Sequence, residues 1–284
     1  MGRRYAWFIA PAVVVTVAVI IFPWMFTVFM SMHDWQVTGA RTFIGFDNYV
    51  NAFRDARFLQ AIGRTATYAL FAVSMPVVLG TAAATVFHHE FPLRGLLRGI
   101  FIMPMMATPV AVALVWAMMF HPQLGVLNYL LKSVGLPPSL WVYAPGTVLP
   151  ALAMIETWQW TPLVMLIVLG GLATLPVEPY ESARIDGAAP WQTFVYITLP
   201  LVMPVILVAV VLRTIDALKA FDLIFTITQG GPGTASETLN IYLYLKAFSF
   251  YQIGQASAVV VIFFAIIVAL SLGSLYLRER TRWA

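Results

Sequence analysis

Cysteine is absent from the 284 residues, which excludes disulfides, thiolate metal sites and thiol nucleophiles by count alone. Charge is scarce. Only 10% of residues are Asp, Glu, Lys or Arg, 61% are hydrophobic, and the mean hydropathy is +0.86. Soluble domains carry about a quarter charged residues, so this composition speaks against a water-soluble fold. The four histidines, His33, His88, His89 and His121, never take the H-E-x-x-H spacing of a zinc enzyme. No G-x-x-x-x-G-K-[ST] phosphate loop occurs, so the chain carries no ATP-binding motif of its own. No low-complexity segment or internal repeat is visible, which removes the sequence mark of inverted-repeat secondary transporters. The net charge of +4 and the isoelectric point near 9.4 do not indicate nucleic acid, because the basic residues are scattered and sit mostly at the ends of apolar runs.

What the sequence has is long apolar runs, at about 7–30, 64–87, 97–120, 146–173, 201–225 and 253–277. A membrane helix needs about 20 consecutive apolar residues, so six spans fill the chain. The expectation is an all-α, polytopic membrane protein with six kinked transmembrane helices, residues 1–284 forming one membrane domain. The first run is too long for a signal peptide and ends in Phe29, Met30, Ser31 and Met32 rather than in small residues. Six spans put both termini on one side, together with Arg3, Arg4, Arg94, Arg98, Arg184, Arg278, Arg280 and Arg282, eight of the sixteen basic residues. The positive-inside rule makes that side cytoplasmic. The opposite connections, 31–63, 121–145 and 226–252, carry Trp35, Trp141, Tyr143, Tyr242 and Tyr251 at interface depths. Pro23, Pro76, Pro104, Pro109, Pro162 and Pro204 fall in or beside spans and predict bends, as ordinary irregularity or as part of gating.

Between the fourth and fifth spans, residues 175–200 are too polar at the start to span and too apolar later for a free loop. They predict two short surface helices. Pro179 suits a first helical turn, Gly187 suits a left-handed end, and Pro190 suits the start of the next helix. Glu178 and Glu181 complement the dipole of the first helix.

The pattern Glu181-Ser182-Ala183, Gly187, Ile197, Leu199-Pro200 resembles the EAA coupling loop of binding-protein-dependent ABC importer permeases, with Ser182 in place of the first alanine. The likeness covers nearly the whole chain. Ile44-Gly45-Phe46-Asp47-Asn48-Tyr49, Pro104, Trp116, Gly125-Val126-Leu127-Asn128, Phe221-Asp222 and Thr228-Gln229-Gly230-Gly231-Pro232 resemble carbohydrate-uptake permeases of the maltose-transporter kind. Glu237, Thr238, Tyr244, Ala247, Phe248 and Gly254 are similar to the MalF-type subunit and its glycerol-phosphate relatives, without the extra spans and large periplasmic insertion of enteric MalF.

The resemblance implies a subunit of the bacterial or archaeal inner membrane that takes a sugar, polyol or sugar phosphate through by alternating access. It implies a MalG-type second permease, a cytoplasmic ATPase dimer that holds ATP and Mg, and an extracytoplasmic solute-binding protein; no cofactor belongs to this chain. Glu181, Ser182, Ala183, Gly187, Ile197, Leu199 and Pro200 would then serve coupling to the ATPase, and Gly230, Gly231 and Pro232 would form either a turn or a contact with the binding protein.

Charges inside the spans ask for a separate explanation, since each costs about 2.5–3.5 kcal/mol at mid-bilayer. Glu156 lies in the fourth run, and Arg213, Asp216, Lys219 and Asp222 recur at spacings of three in the fifth. That spacing allows Arg213–Asp216 and Lys219–Asp222 pairs. Two readings stand: neutralised packing pairs, or a polar lining for a hydroxyl-rich solute, helped by Trp158, Gln159 and Trp160. By depth, Glu156 and the Asp216–Lys219 stretch are expected around one cavity. A gradient-driven transporter using Glu156 and Asp216 as proton carriers is the alternative, though it leaves 175–200 unexplained.

Overall fold

The structure is a computed structural model that describes residues 6–35 and 39–280. Arg3, Arg4 and Arg282, part of the basis for the expected orientation, lie outside the described residues. Helix dominates. In order come α1 (Ala6–Ser31), a two-strand ladder β1 (His33–Asp34) and β2 (Thr42–Phe43), α2 (Asp47–Arg54), α3 (Ala56–His88), α4 (Arg94–Met106), α5 (Pro109–Met119), α6 (Val126–Ser133) and α7 (Val148–Leu172). Next are α8 (Glu178–Ile185), α9 (Pro190–Thr193), a π-helical turn (Phe194–Thr198), α10 (Leu199–Leu218), α11 (Asp222–Thr228), α12 (Leu239–Tyr244), a second π turn (Leu245–Ser249) and α13 (Ile253–Arg280). Among the described residues five helical stretches are long and apolar enough to span a membrane, within α1, α3, α7, Pro190–Leu218 and α13. A sixth arises if α4 and α5 form one span.

That third span is not the continuous helix expected over 97–120: α4 and α5 meet at 97°. Pro109 opens α5, and the residue before a proline is pushed out of the helical region. Thr108 is accordingly extended (φ −69°, ψ 142°), as is Ala107. The fifth span also differs, because α9 does not stop as a separate surface helix but runs through the π turn into α10. Pro200 has no N–H to give the Tyr196 carbonyl, and the helix widens over Phe194–Thr198 just before it instead of breaking. The helix then ends at Leu218, short of the expected 225.

The chain divides into two compact units. One runs up to Ala61 and includes Tyr242–Ile266. Here Asn48 donates from Nδ2 to the Ser31 and His33 carbonyls, each at 2.9 Å, and the Tyr49 and Ser31 hydroxyls lie 2.6 Å apart. These bonds fasten α2 to the end of α1. Gly254 gives its N–H to the Trp35 carbonyl at 3.2 Å, and a Cβ there would lie 2.0 Å from the His33 carbonyl oxygen. Only glycine fits.

The other unit spans Ile62–Ile241 and continues from Ile267. Its centre is α7, which carries apolar residues around most of its circumference and buries the greater part of them. Val164, Met165, Val168 and Leu169 of α7 form one core with Ala84 and Phe87 of α3 and Val202 and Ile206 of α10. Glycine permits the close crossings. A Cβ on Gly80 would come within 2.7 Å of Val164, and one on Gly171 within 2.8 Å of Val205. In α6, Asn128 is buried with every side-chain polar atom used: Nδ2 donates to the Pro122 and Ser139 carbonyls, and Oδ1 accepts from the Ser139 amide and the Trp141 indole.

Of the aromatic residues expected at interface depths, Tyr143 and Tyr251 are exposed, but Tyr242 is buried. It packs against Phe58 and donates its hydroxyl to Asp55 Oδ2 at 2.7 Å. Asp55 caps α3 by accepting the Arg57 amide at 2.8 Å, and Lys246 Nζ stands 3.6 Å from its other oxygen. Burial pushes the Asp55 carboxyl up, but the Tyr242 hydroxyl, the Arg57 amide and the Lys246 ammonium together outweigh it and hold the group below its ordinary value. A depressed carboxylate stabilises the fold fully above the unfolded value, near 3.9, and loses that contribution as pH falls through the folded value. Asp55→Asn is expected to cost about 1–2 kcal/mol at neutral pH, the scale of a charge-assisted bond at a partly exposed site. Thermal unfolding in detergent should show the variant and parent converging in acid; equal stability at neutral pH would remove the cap from this account.

Candidate functional site

Glu156, Gln159 and Trp160 follow one another at helical spacing on one face of α7. Opposite them, Arg213 projects from α10 and is only 1% exposed. Its Nη2 lies 2.7 Å from Glu156 Oε2 and 3.4 Å from the Ala72 carbonyl of α3, its Nη1 is 3.9 Å from Asp216 Oδ2, and its guanidinium stacks 5.0 Å over the Trp160 ring. One side chain thus ties α3, α7 and α10. Tyr68, fully buried on α3 near Glu156 and Arg213, has no hydrogen-bond partner for its hydroxyl among the described residues. An unpaired charge at this depth would be costly, and the pairing cancels it.

This cluster closes one end of a cavity of about 330 Å³. Glu156, Gln159, Trp160 and Arg213 line its inner wall, Asp216, Lys219 and Asp222 its rim, and Pro109 of the broken span its side. The shared cavity expected from depth is therefore present. Gln159 also explains how the break at 107–108 is tolerated, since its Nε2 donates to the Ala107 carbonyl at 3.1 Å. Two expectations change. Lys219 pairs with Asp216, at 4.0 Å, and not with Asp222, because α10 ends at Leu218 and Asp222 opens a new helix. Trp158 stays outside this cavity, on another face of α7, 45% exposed and edge-on to Trp116 at 5.7 Å.

The 175–200 segment forms its helix, turn and helix. Pro179 sits in the first turn of α8, and Glu178 and Glu181 lie there too. Gly187 has φ +70°, Ala188 N–H donates to the Ala183 carbonyl at 2.9 Å, and Gly187 N–H to the Arg184 carbonyl at 3.2 Å. That pair of bonds is a Schellman ending. Ala183 is buried while Glu181, Ser182 and Gly187 are exposed, so one face of α8 packs inward and the other is free. Ile197 and Ala183 line the same groove beside Gly187. Leu199 and Pro200 open α10 below the π turn, and the Tyr180 hydroxyl reaches Thr198 Oγ1 at 3.2 Å. Ile185, at 87% exposure, is left uncovered at the tip.

Gly230 is buried with φ +96°, and Gly231 and Pro232 are half-buried in a turn where Ser236 Oγ donates to the Gly231 carbonyl at 2.6 Å. The turn is braced from α3: Arg64 Nη2 donates to Thr234 Oγ1 at 2.9 Å, and Thr65 Oγ1 accepts the Leu239 amide at 2.8 Å. Sequence reasoning passed over Arg64 and Thr65 as braces of this turn, and Tyr68 as a buried neighbour of the Glu156–Arg213 pair. Arg64 stands at the start of the apolar run 64–87, yet α3 begins at Ala56 and carries it inside the helix.

Residues 76–282 match the family model described as binding-protein-dependent transport system inner membrane component. The chain is 33% identical to the trehalose/maltose transport system permease protein MalF of Thermococcus litoralis over 268 residues, 93% of this chain and 90% of that protein. It is also 33% identical to the sulfoquinovosyl glycerol transport system permease protein SmoG of Agrobacterium fabrum over 273 residues, 95% of this chain and 88% of that one. Its fold is similar to a chain in the crystal structure of a bacterial alginate ABC transporter bound to its alginate pentasaccharide-loaded periplasmic protein, with a TM-score of 0.83, 21% identity and coverage of 98% and 96% of the two chains. The chain belongs to the binding-protein-dependent transport system inner membrane component family, non-catalytic membrane subunits of ABC transporters.

Proposed function

We propose that the whole chain acts as one transmembrane domain, one of two permeases in an importer that moves a hydroxyl-rich solute of the sugar, polyol or sugar-phosphate class across the inner membrane, with both termini cytoplasmic. A cytoplasmic ATPase dimer supplies the energy from ATP and Mg, and an extracytoplasmic binding protein delivers the solute. The observation that carries this reading is the continuity of Pro190–Leu218. The surface helix α8 turns at Gly187 directly into a rod that ends at the polar cavity. From Pro190 to Arg213 that rod covers about 35 Å at 1.5 Å per residue. A displacement of α8 by the ATPase is thereby delivered to Arg213 and the cavity wall, and the break at 107–108 lets α5 move against α4. Paired charges, an amide and an indole in the cavity suit a solute held by hydrogen bonds and ring stacking, and the sugars named for the two relatives above support that class.

Reconstitution tests the reading. With a second permease, the ATPase and the binding protein, liposomes should take up the binding protein's solute only with ATP, and the lone chain should take up none. Uptake by the lone chain would contradict it.

Gly187→Val separates coupling from assembly. A Cβ at Gly187 meets nothing within 4 Å, so the penalty is conformational and not steric. A left-handed β-branched residue costs about 1–2 kcal/mol. The variant should insert normally yet hydrolyse ATP without matching uptake, or lose the ATPase on purification; wild-type uptake would remove the turn from the mechanism.

Glu156→Gln and Arg213→Met each strand a buried charge and should cost about 3–5 kcal/mol, seen as loss of the assembled peak in size exclusion. Asp222→Asn, at the rim, should assemble normally and lose uptake. Normal assembly with normal uptake in all three would reject both the packing role and the pathway role.

A further inference from the structure

A second cavity lies between the end of α3 and the α8–α9 turn, with a volume of about 450 Å³, inside the range of small-ligand sites. Thr85 and His88 of α3, with His89 just past its end, form one wall, Tyr180 and Arg184 of α8 the other, and Thr193 and Thr198 the floor, while apolar side chains including Leu172 and Phe194 complete the lining. No carboxylate lines it. The nearby acids do not line it: Glu90 is paired with Arg94, Asp186 lines the neighbouring groove around Gly187, and Glu181, one turn before Arg184 on α8, makes no ion pair with it. The hydroxyls are held in place, Thr85 donating to the Thr81 carbonyl at 3.0 Å and Tyr180 to Thr198 at 3.2 Å. By contrast, the side chains of Arg184, His88 and His89 make no hydrogen bond or ion pair with any other described residue; the two imidazoles only lie edge to face, 6.1 Å apart. A cavity that gathers a guanidinium and two imidazoles from two different elements, with no counter-charge, has the chemistry of an anion site.

We propose that this cavity binds a phosphoryl group, with Arg184 and the His88–His89 pair as its donors. The guanidinium fork matches two phosphate oxygens, and the imidazoles approach from the opposite wall. Because the donors sit on α3 and α8, the bound anion bridges the surface helix to the membrane bundle. Binding stands apart from the transport reading; its consequence, restraint of α8 and slower turnover, rests on that reading.

A phosphoryl group reaches the site either in a lipid headgroup or as a soluble phosphate. The full chain in two environments distinguishes them. In dodecyl maltoside, which carries no phosphate, equilibrium dialysis with radiolabelled inorganic phosphate reports the soluble source; in a phosphatidylglycerol nanodisc, native mass spectrometry of retained lipid reports the headgroup. One saturable equivalent per chain is expected in at least one arm. Affinity should fall about tenfold or more in Arg184→Gln and, independently, in the His88→Gln/His89→Gln double variant, the loss expected from a charge-assisted bond. No saturable binding in either arm, or wild-type affinity in either variant, would overturn the proposal.

Discussion

The rest of the second unit is arranged around one buried guanidinium. Arg213 sits among helices that are otherwise apolar, and its 2.7 Å contact with Glu156 is what makes its burial tolerable. The pair fixes more than itself. With Ala72 of α3 and Trp160 of α7 also engaged, Arg213 sets the rotation of α10 against both helices, because turning either one would strand a charge in a low-dielectric interior. The cavity beside the pair follows from the same constraint. Its walls are the residues that a neutralised but still polar cluster keeps away from lipid.

Prolines cut the apolar runs into pieces that can form this cavity, and each cut is repaired locally. At 107–108 the helix turns through a near right angle and Gln159 takes up a freed carbonyl. At Pro200 the helix widens through a π turn and keeps going. These two outcomes place the break beside the cavity and the unbroken rod between the cavity and the surface helix. Gly187 supplies the remaining element, a left-handed residue with open space around it, so the surface helix is joined to the rod by a sharp turn whose geometry depends on backbone freedom alone. A sharp turn, a continuous helix and a break thus follow one another between the surface helix and the far side of the cavity.

Much of this was legible in the residues. Run length and composition mark the spans, and the Pro179, Gly187 and Pro190 pattern foretells the surface helix, its ending and the start of the next helix, because these residue types act through local backbone geometry. Depth along the runs brings Glu156 and Asp216 to one cavity, since helical rise is uniform. The rest depends on information that local rules lack. Whether a proline bends a helix, breaks it or leaves a π turn is decided by neighbours such as Gln159, which is why the third span reads as continuous and the fifth as ending at 225. The Lys219–Asp222 pair fails for the same reason, once α10 stops at Leu218. Trp158 lies one helical face away from Gln159, a difference that composition near a site cannot resolve. Arg64 and Thr65 enter the network around the Gly230 turn through tertiary contacts alone.

The absence of cysteine makes one measurement unusually clean. A single Ala220→Cys, in the lining of the cavity beside Lys219, introduced into the assembled transporter in proteoliposomes, can be labelled with a membrane-impermeant thiol reagent while the ATPase is held with ATP bound or left nucleotide-free. If the cavity beside Arg213 is the solute path and α10 carries the motion to it, the labelling rate changes with nucleotide state and falls when transported solute is present. A rate indifferent to both nucleotide and solute would contradict the account.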